Sequence, residues 1–240
     1  MIGAFLNALG ILLGSFFGLV RSEPVSPRLQ AQFKTALGAF TAFCGLQLVW
    51  LDVGGSTLAV LKQLFVAGLA MVLGNLFGRL LALQKISNRL GRYAASLLAG
   101  AQTGAGVKPA DGFVAVTILF CAAPLGLVGA VTDGLGNYFL PLALKAVMDG
   151  MAMTSFVRIC RWPVALAAVP VFLFLNGLTV IVHVFVLPKF ATPELVQSVN
   201  AAAGLLICTM TLVILEIRRV ELANYLPALF LAPILSHFLA

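Results

Sequence analysis

At 240 residues, 61% hydrophobic and 10% charged, with a mean hydropathy of +1.08, the chain lies outside the ordinary soluble globular classes. Its formal charge of +7 would direct a soluble chain toward nucleic acid, but here the basic residues sit between apolar runs and report topology instead. Several runs reach the roughly 20 apolar residues that cross a bilayer, so the fold class is an all-α polytopic membrane protein with the lipid bilayer as a partner and no nucleic acid.

Eight spans are predicted: Met1–Val20, Thr35–Leu51, Thr57–Leu83, Gly112–Asp133, Tyr138–Val157, Pro163–Leu187, Ser198–Ile217 and Leu222–Leu239. The first lacks a basic leader and an A-x-A-like exit, so it is expected to remain as a span and not to be cleaved as a signal peptide. Along it, Gly10, Gly14 and Gly18 make a small-residue stripe that lets another helix approach, within the chain or in a homodimer. Span three carries a second stripe, Gly74 and Gly78, with Lys62 and Arg79 near its ends, where they can snorkel.

Between spans three and four, Ile86, Leu90, Tyr93, Leu97 and Leu98 share one face of Ile86–Ala101, and Arg89 and Arg92 lie elsewhere. That pattern fits a helix on the cytoplasmic membrane surface, with a solvated linker as the alternative. Thr103–Pro109 reads as a loop.

Span four is interrupted by Pro124, Gly126 and Gly129. Pro124 lacks an N–H and so frees the Phe120 carbonyl one turn earlier. Freed backbone at membrane depth survives only in protein or beside a wet cavity. The break therefore suits coordination of a cation or solute, a simple proline kink, or a re-entrant hairpin over Phe120–Gly129.

Span five carries Lys145 and Asp149, the two ionisable residues set deepest in an apolar run. A charge at mid-bilayer costs roughly 2.5–3.5 kcal/mol on insertion scales and marks a working site by default. The two are four residues apart on one helical face, so a structural ion pair is the alternative, although Lys before Asp is the weaker order for such a pair. Asn7 and Asn176 lie deep in spans one and six and suit either solute binding or amide bonds between helices. Asn75 and Gln47 read the same way, and His183, near Pro188, reads as an interfacial histidine or a proton relay. Cys44, Cys121, Cys160 and Cys208 have no metal or redox spacing and read as small hydrophobes.

Twelve of the fifteen Lys and Arg residues fall in or beside the loops that follow odd-numbered spans; Lys62, Lys145 and Lys189 do not. The positive-inside rule then puts the twelve in the cytoplasm and both termini outside the inner membrane. The halves also echo one another. Phe5-Leu6-Asn7-Ala8-Leu9 matches Phe174-Leu175-Asn176-Gly177-Leu178, each followed by a Pro-containing loop (Glu23-Pro24; Thr192-Pro193-Glu194) and then by Ala36-Leu37-Gly38 or Ala202-Ala203-Gly204. Spans one to three and six to eight are thus expected as inverted repeats around a central helix pair, the plan of many secondary transporters. The corresponding units are residues 1–85, the surface helix and loop 86–110, the central pair 111–160, and the second repeat 161–240.

No HExxH, GxSxG or Gly-rich phosphate loop is present, and Asp133, at the outer end of its span, is too far from Asp149 for an intramembrane aspartyl pair. No enzyme, cofactor or metal centre is expected. The expected function is secondary transport of a small polar or charged solute, coupled to H⁺ or Na⁺. Asp149 would be the coupling or substrate carboxylate and Lys145 its partner; Phe120, Pro124 and Gly126 would supply unwound backbone, and Asn7 and Asn176 symmetry-related contacts. A channel, or a non-transporting assembly or sensory protein, are the rivals.

Met1-Ile2-Gly3, Asn7, Gly14, Asp133-Gly134-Leu135, Lys145, Asp149-Gly150, Gly204-Leu205-Leu206-Ile207 and Val220–Ala228 together resemble the bacterial "domain of unknown function 554" family, the YqgA/YdfK-like membrane proteins, over essentially the whole chain. The resemblance implies a bacterial inner-membrane transport protein of no established substrate.

Overall fold

The computed structural model describes residues 2–21, 26–99, 107–189 and 192–239, without the side chain of Asp52. Met1, the Glu23-Pro24 loop, Ala101 and positions 103–106 of the expected loop lie outside the described residues. Ten α-helices follow in order: α1 (Ile2–Val20), α2 (Pro27–Asp52), α3 (Thr57–Leu80), α4 (Leu83–Leu98), α5 (Pro109–Cys121), α6 (Pro124–Gly136), α7 (Leu140–Cys160), α8 (Ala168–Ile181), α9 (Pro193–Ile214) and α10 (Ala228–Leu239). Helix α8 is the centre of a longer span, Trp162–Lys189, entered by a 3₁₀ turn and left through a π-turn at Val182–Val186. Among the described residues, seven spans are long and apolar enough to cross a bilayer, and α5 with α6 makes an eighth, bent by 56°. The chain is an all-α multi-pass membrane protein.

Capping chemistry moves several ends from where hydropathy placed them. Ser26 accepts from Leu29 N at 3.4 Å and Pro27 occupies the first turn, so α2 starts about two turns before Thr35. Its polar first turns, with Arg28, Gln30 and Lys34, hide that start from an apolar window. Pro109 opens α5 and does not close the preceding loop, for the same reason. The last span is not one α-helix: a 3₁₀ turn, Leu222–Tyr225, precedes Pro227 and α10.

Three contacts show that α5 and α6 traverse the bundle, so the hairpin alternative falls. Gly112, at the start of α5, lies against Cys160 at the end of α7. Arg158, near that same end, donates to the Arg21 carbonyl just past α1. At the other end of α1, Gly3 N donates to Asp133 Oδ2 near the end of α6, at 3.3 Å. Two 13-residue helices give roughly 40 Å of length, enough for a hydrocarbon core of about 30 Å even when bent.

The glycine stripes serve packing inside the chain. A Cβ added at Gly10, Gly14 or Gly18 would fall 2.4, 2.0 or 2.7 Å from the carbonyl oxygens of Ala146, Gly150 and Thr154, so α1 and α7 meet backbone to backbone. Of the two roles expected for the stripe, contact within the chain or in a homodimer, the first is what α7 supplies. Gly74 and Gly78 likewise receive Ala228 and Asn224. Helices α2 and α9 cross at Gly45 and Gly204, each 2.7 Å (as a Cβ) from the other's carbonyl oxygen; Gly38, the glycine of the sequence echo, packs on Leu215 instead.

Helix α4 rests on α5, with Leu98 joining a core cluster that includes Val116 and Phe120, and its Ala94 is buried. Ile86, Leu90 and Tyr93, expected on the apolar face of a membrane-surface helix, are not covered by protein, with Ile86 52% exposed. The apolar face is thus divided between protein and surroundings.

Candidate functional site

Helix α7 carries Lys145 and Asp149 one turn apart, and neighbouring helices close over both. Lys145 is 1% exposed and Asp149 7%. Nζ pairs with Asp149 Oδ2. The ammonium also lies 5.3 Å from the Phe120 ring centroid of α5, within cation–π range. Gly126 of α6 makes room for the lysine stem: a Cβ there would sit 2.7 Å from Lys145 Cε and 3.2 Å from Leu175 Cδ2 of α8. Taking two charges out of water costs several kcal/mol per ion, and one contact between them rarely recovers it without further hydrogen bonds.

Asn7 of α1 completes the cluster. It is fully buried, and its amide approaches Asp149 closely enough to act on the carboxylate. Yet neither its Oδ1 nor its Nδ2 closes a hydrogen bond of ordinary geometry. An unsatisfied buried amide costs about 1–3 kcal/mol, and in a native fold such a group calls for an explanation.

The break lies beside this cluster. Helix α5 ends at Cys121, α6 begins at Pro124, and Ala123 gives α6 no side-chain cap. Among the described residues, no backbone hydrogen bond reaches the Phe120 carbonyl from beyond the break. Donors at the α6 N-terminus and an acceptor at the α5 C-terminus thus face the region where Phe120 and Gly126 touch the lysine.

The structure therefore brings Asn7, Phe120, Gly126, Lys145 and Asp149 together, with Pro124 at the adjoining break. Asn176 is half-buried on α8, one residue beyond Leu175, and makes no hydrogen bond to the pair among the described residues. His183 Nδ1 donates to the Gly134 carbonyl at 3.1 Å, a structural contact between α6 and the π-turn.

A cavity of about 830 Å³ opens between the ends of α1, α2 and α7, lined in part by Phe17, Arg21, Lys34, Met151, Ser155 and Arg158. Lys34 is ion-paired with Glu216 across it. Neither Lys145 nor Asp149 lines this cavity or those of about 550, 530 and 200 Å³ elsewhere. In this conformation the pair is sealed.

Sequence reasoning missed the jobs of four polar residues, Asp133, Asn224, Gln84 and Tyr138. Asp133, 2% exposed, accepts from the first turn of α1 and so caps a helix 130 positions away. Asn224 Oδ1 accepts from Gln84 N, and Gln84 Oε1 accepts from Ala223 N, a reciprocal clasp that holds the start of α4 against the turn before α10. Tyr138 OH donates to the Cys44 carbonyl at 2.8 Å and ties the α6–α7 turn to α2. The position of Asn224 inside an Asn-Tyr-Leu-Pro run was the available signal for that clasp.

A family model described as "Protein of unknown function (DUF554)" matches residues 2–237. The chain is similar to the "Uncharacterized protein YqgA" of Escherichia coli (strain K12), 28% identical over 98% of this chain and 96% of that protein. It is also similar to the "Uncharacterized membrane protein YdfK" of Bacillus subtilis (strain 168), 24% identical over 98% of this chain and 95% of that protein. No solved structure matches it.

Proposed function

The chain belongs to the DUF554 family of proteins of unknown function, and from that premise we propose, on the chemistry of its site, that it is a secondary transporter of a small polar or charged solute. The observation that carries this reading is a sealed Lys145–Asp149 pair beside an unsatisfied Asn7 amide and a broken span. Intramembrane charges face protein interiors where solutes or protons pass, and discontinuous helices supply the backbone groups that bind them. Coupling would be to H⁺ or Na⁺ through Asp149.

Two further parts of the reading agree with this. The distribution of the basic residues supports an orientation with both termini outside the inner membrane. An inverted repeat pairing α1–α3 with α8–α10 is supported by the packing of each helix on its counterpart, most extensively α2 on α9. Against it, α9 packs on both α3 and α10, with no equal contact between α2 and either.

A second reading, a non-transporting assembly protein stabilised by a structural ion pair, is favoured by the absence of Lys145 and Asp149 from the lining of the four cavities described above. The test is purified protein in proteoliposomes under a pH or Na⁺ gradient, followed by current and by a lumenal pH dye against a panel of small solutes. Transport predicts that Asp149→Asn abolishes coupled flux and leaves the melting temperature near that of the parent. A structural pair predicts that Asp149→Asn destabilises the protein and that adding Lys145→Met restores it.

A further inference from the structure

We infer that the Asn7–Lys145–Asp149 site takes a small monoanion together with one proton, and not a metal cation. The inference deepens the transporter reading and rests on it. The sealed site is a neutral pair: one ammonium, one carboxylate. A sodium ion entering it would compete with Lys145 for the single carboxylate and would leave two cations side by side. The α6 N-terminus, whose Gly126 abuts the lysine stem, adds partial positive charge on the same side. Lys145 and the α6 N-terminus thus oppose a cation, against Asp149 and the partial negative charge of the α5 C-terminus.

A proton on Asp149 reverses the balance. The carboxyl becomes neutral, the ammonium loses its partner, and the site is left with one net positive charge. Lys145 Nζ, the unsatisfied Asn7 amide and the Leu125 N–H of α6 are then available as donors to one anion, Pro124 having no N–H and Gly126 N donating to the Ala123 carbonyl at 3.0 Å. The loaded site holds Lys145⁺, the anion and a protonated Asp149, and is again neutral. Both the empty and the loaded form therefore cross between states without carrying a buried net charge, which a low-dielectric interior penalises heavily. The groups that act on Asp149 are Lys145 of α7, the Asn7 amide of α1 and the Cys121 thiol at the end of α5, while Gly126 of α6 and Leu175 of α8 pack about the lysine stem. Outside the seal, Arg21, Lys34 and Arg158 against Glu216 line the cavity between α1, α2 and α7, a rim of predominantly positive sign.

The experiment uses the full-length purified protein and four probes: formate, acetate, lactate and nitrate, as sodium salts, with choline chloride and sodium chloride as controls. Thermal stabilisation at mildly acid and mildly alkaline pH gives apparent Kd values. Anion affinity is expected to weaken about tenfold per pH unit above the range where Asp149 loses its proton. Asp149→Asn should bind equally at both pH values, and Lys145→Met at neither. If the variants fail to fold, the parent alone decides, through uptake of the same anions into proteoliposomes with the membrane voltage clamped: anion uptake should acidify the lumen without current. Stabilisation by sodium whatever the anion, anion affinity that ignores pH, or no binding of any probe at either pH overturns the inference. Acid-dependent anion binding without flux keeps the site and removes the transporter reading. Cation or neutral-solute flux lost in Asp149→Asn keeps the transporter and removes the anion.

Discussion

At the scale of single residues, hydropathy contrast made Lys145 and Asp149 legible, because a charge inside an apolar run has no cheap structural explanation. The glycines of α1 were legible only as a stripe. Their partner is α7, through Ala146, Gly150 and Thr154, and no one-dimensional pattern names a partner. Gly14 gives the sharpest test. Its Cβ would stand 2.0 Å from the Gly150 carbonyl oxygen, and backbone cannot step aside as a side-chain tip can. Gly14→Ala should therefore force α1 from α7 and cost about 1–3 kcal/mol, the range for an overpacked core. Gly68→Ala is the control: no heavy atom outside its own helix backbone and chain neighbours lies within 4 Å of that Cβ, so better helix propensity should leave stability unchanged or slightly raised. Melting temperatures in one detergent compare the two, and equal values would contradict the α1–α7 seam. Asp133 was read as an outer-end carboxylate because its partner is a backbone N–H on another helix, which no side-chain pattern reports.

At the scale of elements, the number of helices followed from apolar runs, while their ends followed from caps that such runs do not show. Ser26 and Pro27 start α2, and Asn137, in the left-handed region that asparagine tolerates, stops α6. Helix α4 is the least self-sufficient element: Ala82 before it has positive φ and no side-chain cap bond. Its first turn depends on Asn224, a tertiary cap supplied from 140 positions away. Asn224→Ala removes that acceptor and should cost about 1 kcal/mol, the worth of a cap. The loss should be local, seen as faster hydrogen exchange at Gln84 and the next few amides of α4, with α7 unchanged. Exchange that quickens equally in both helices would mean that Asn224 supports the whole bundle and not α4.

At the scale of the whole molecule, the sequence supplied the number of crossings, and the contacts at Gly112, Asp133 and Arg158 turn the interrupted fourth run into a crossing. Helix α3 separates Ser56 from Ser87, so single cysteines there should react with an impermeant thiol reagent from opposite sides of the membrane, Ser87 from the cytoplasm. Reaction of both from one side would refute the topology. Helix α1 is tied at each end, to α7 by Arg158 Nη2 on the Arg21 carbonyl and to α6 by Asp133 on Gly3 N.

A transporter must open these two ends in turn, and a structural pair needs to open neither. Cys121, half-buried beside Lys145, is a native reporter for the difference. With Cys44, Cys160 and Cys208 replaced by alanine, Arg158→Gln should raise labelling of Cys121 from the side that carries the basic loops. Asp133→Ala should raise it from the other side, because each variant loosens one closure and shifts the population toward the state open there. A several-fold rise in opposite directions is the expected result. Both variants labelling from one face, or neither changing, would leave Lys145 and Asp149 as a permanently enclosed pair and the bundle without an alternating route to them.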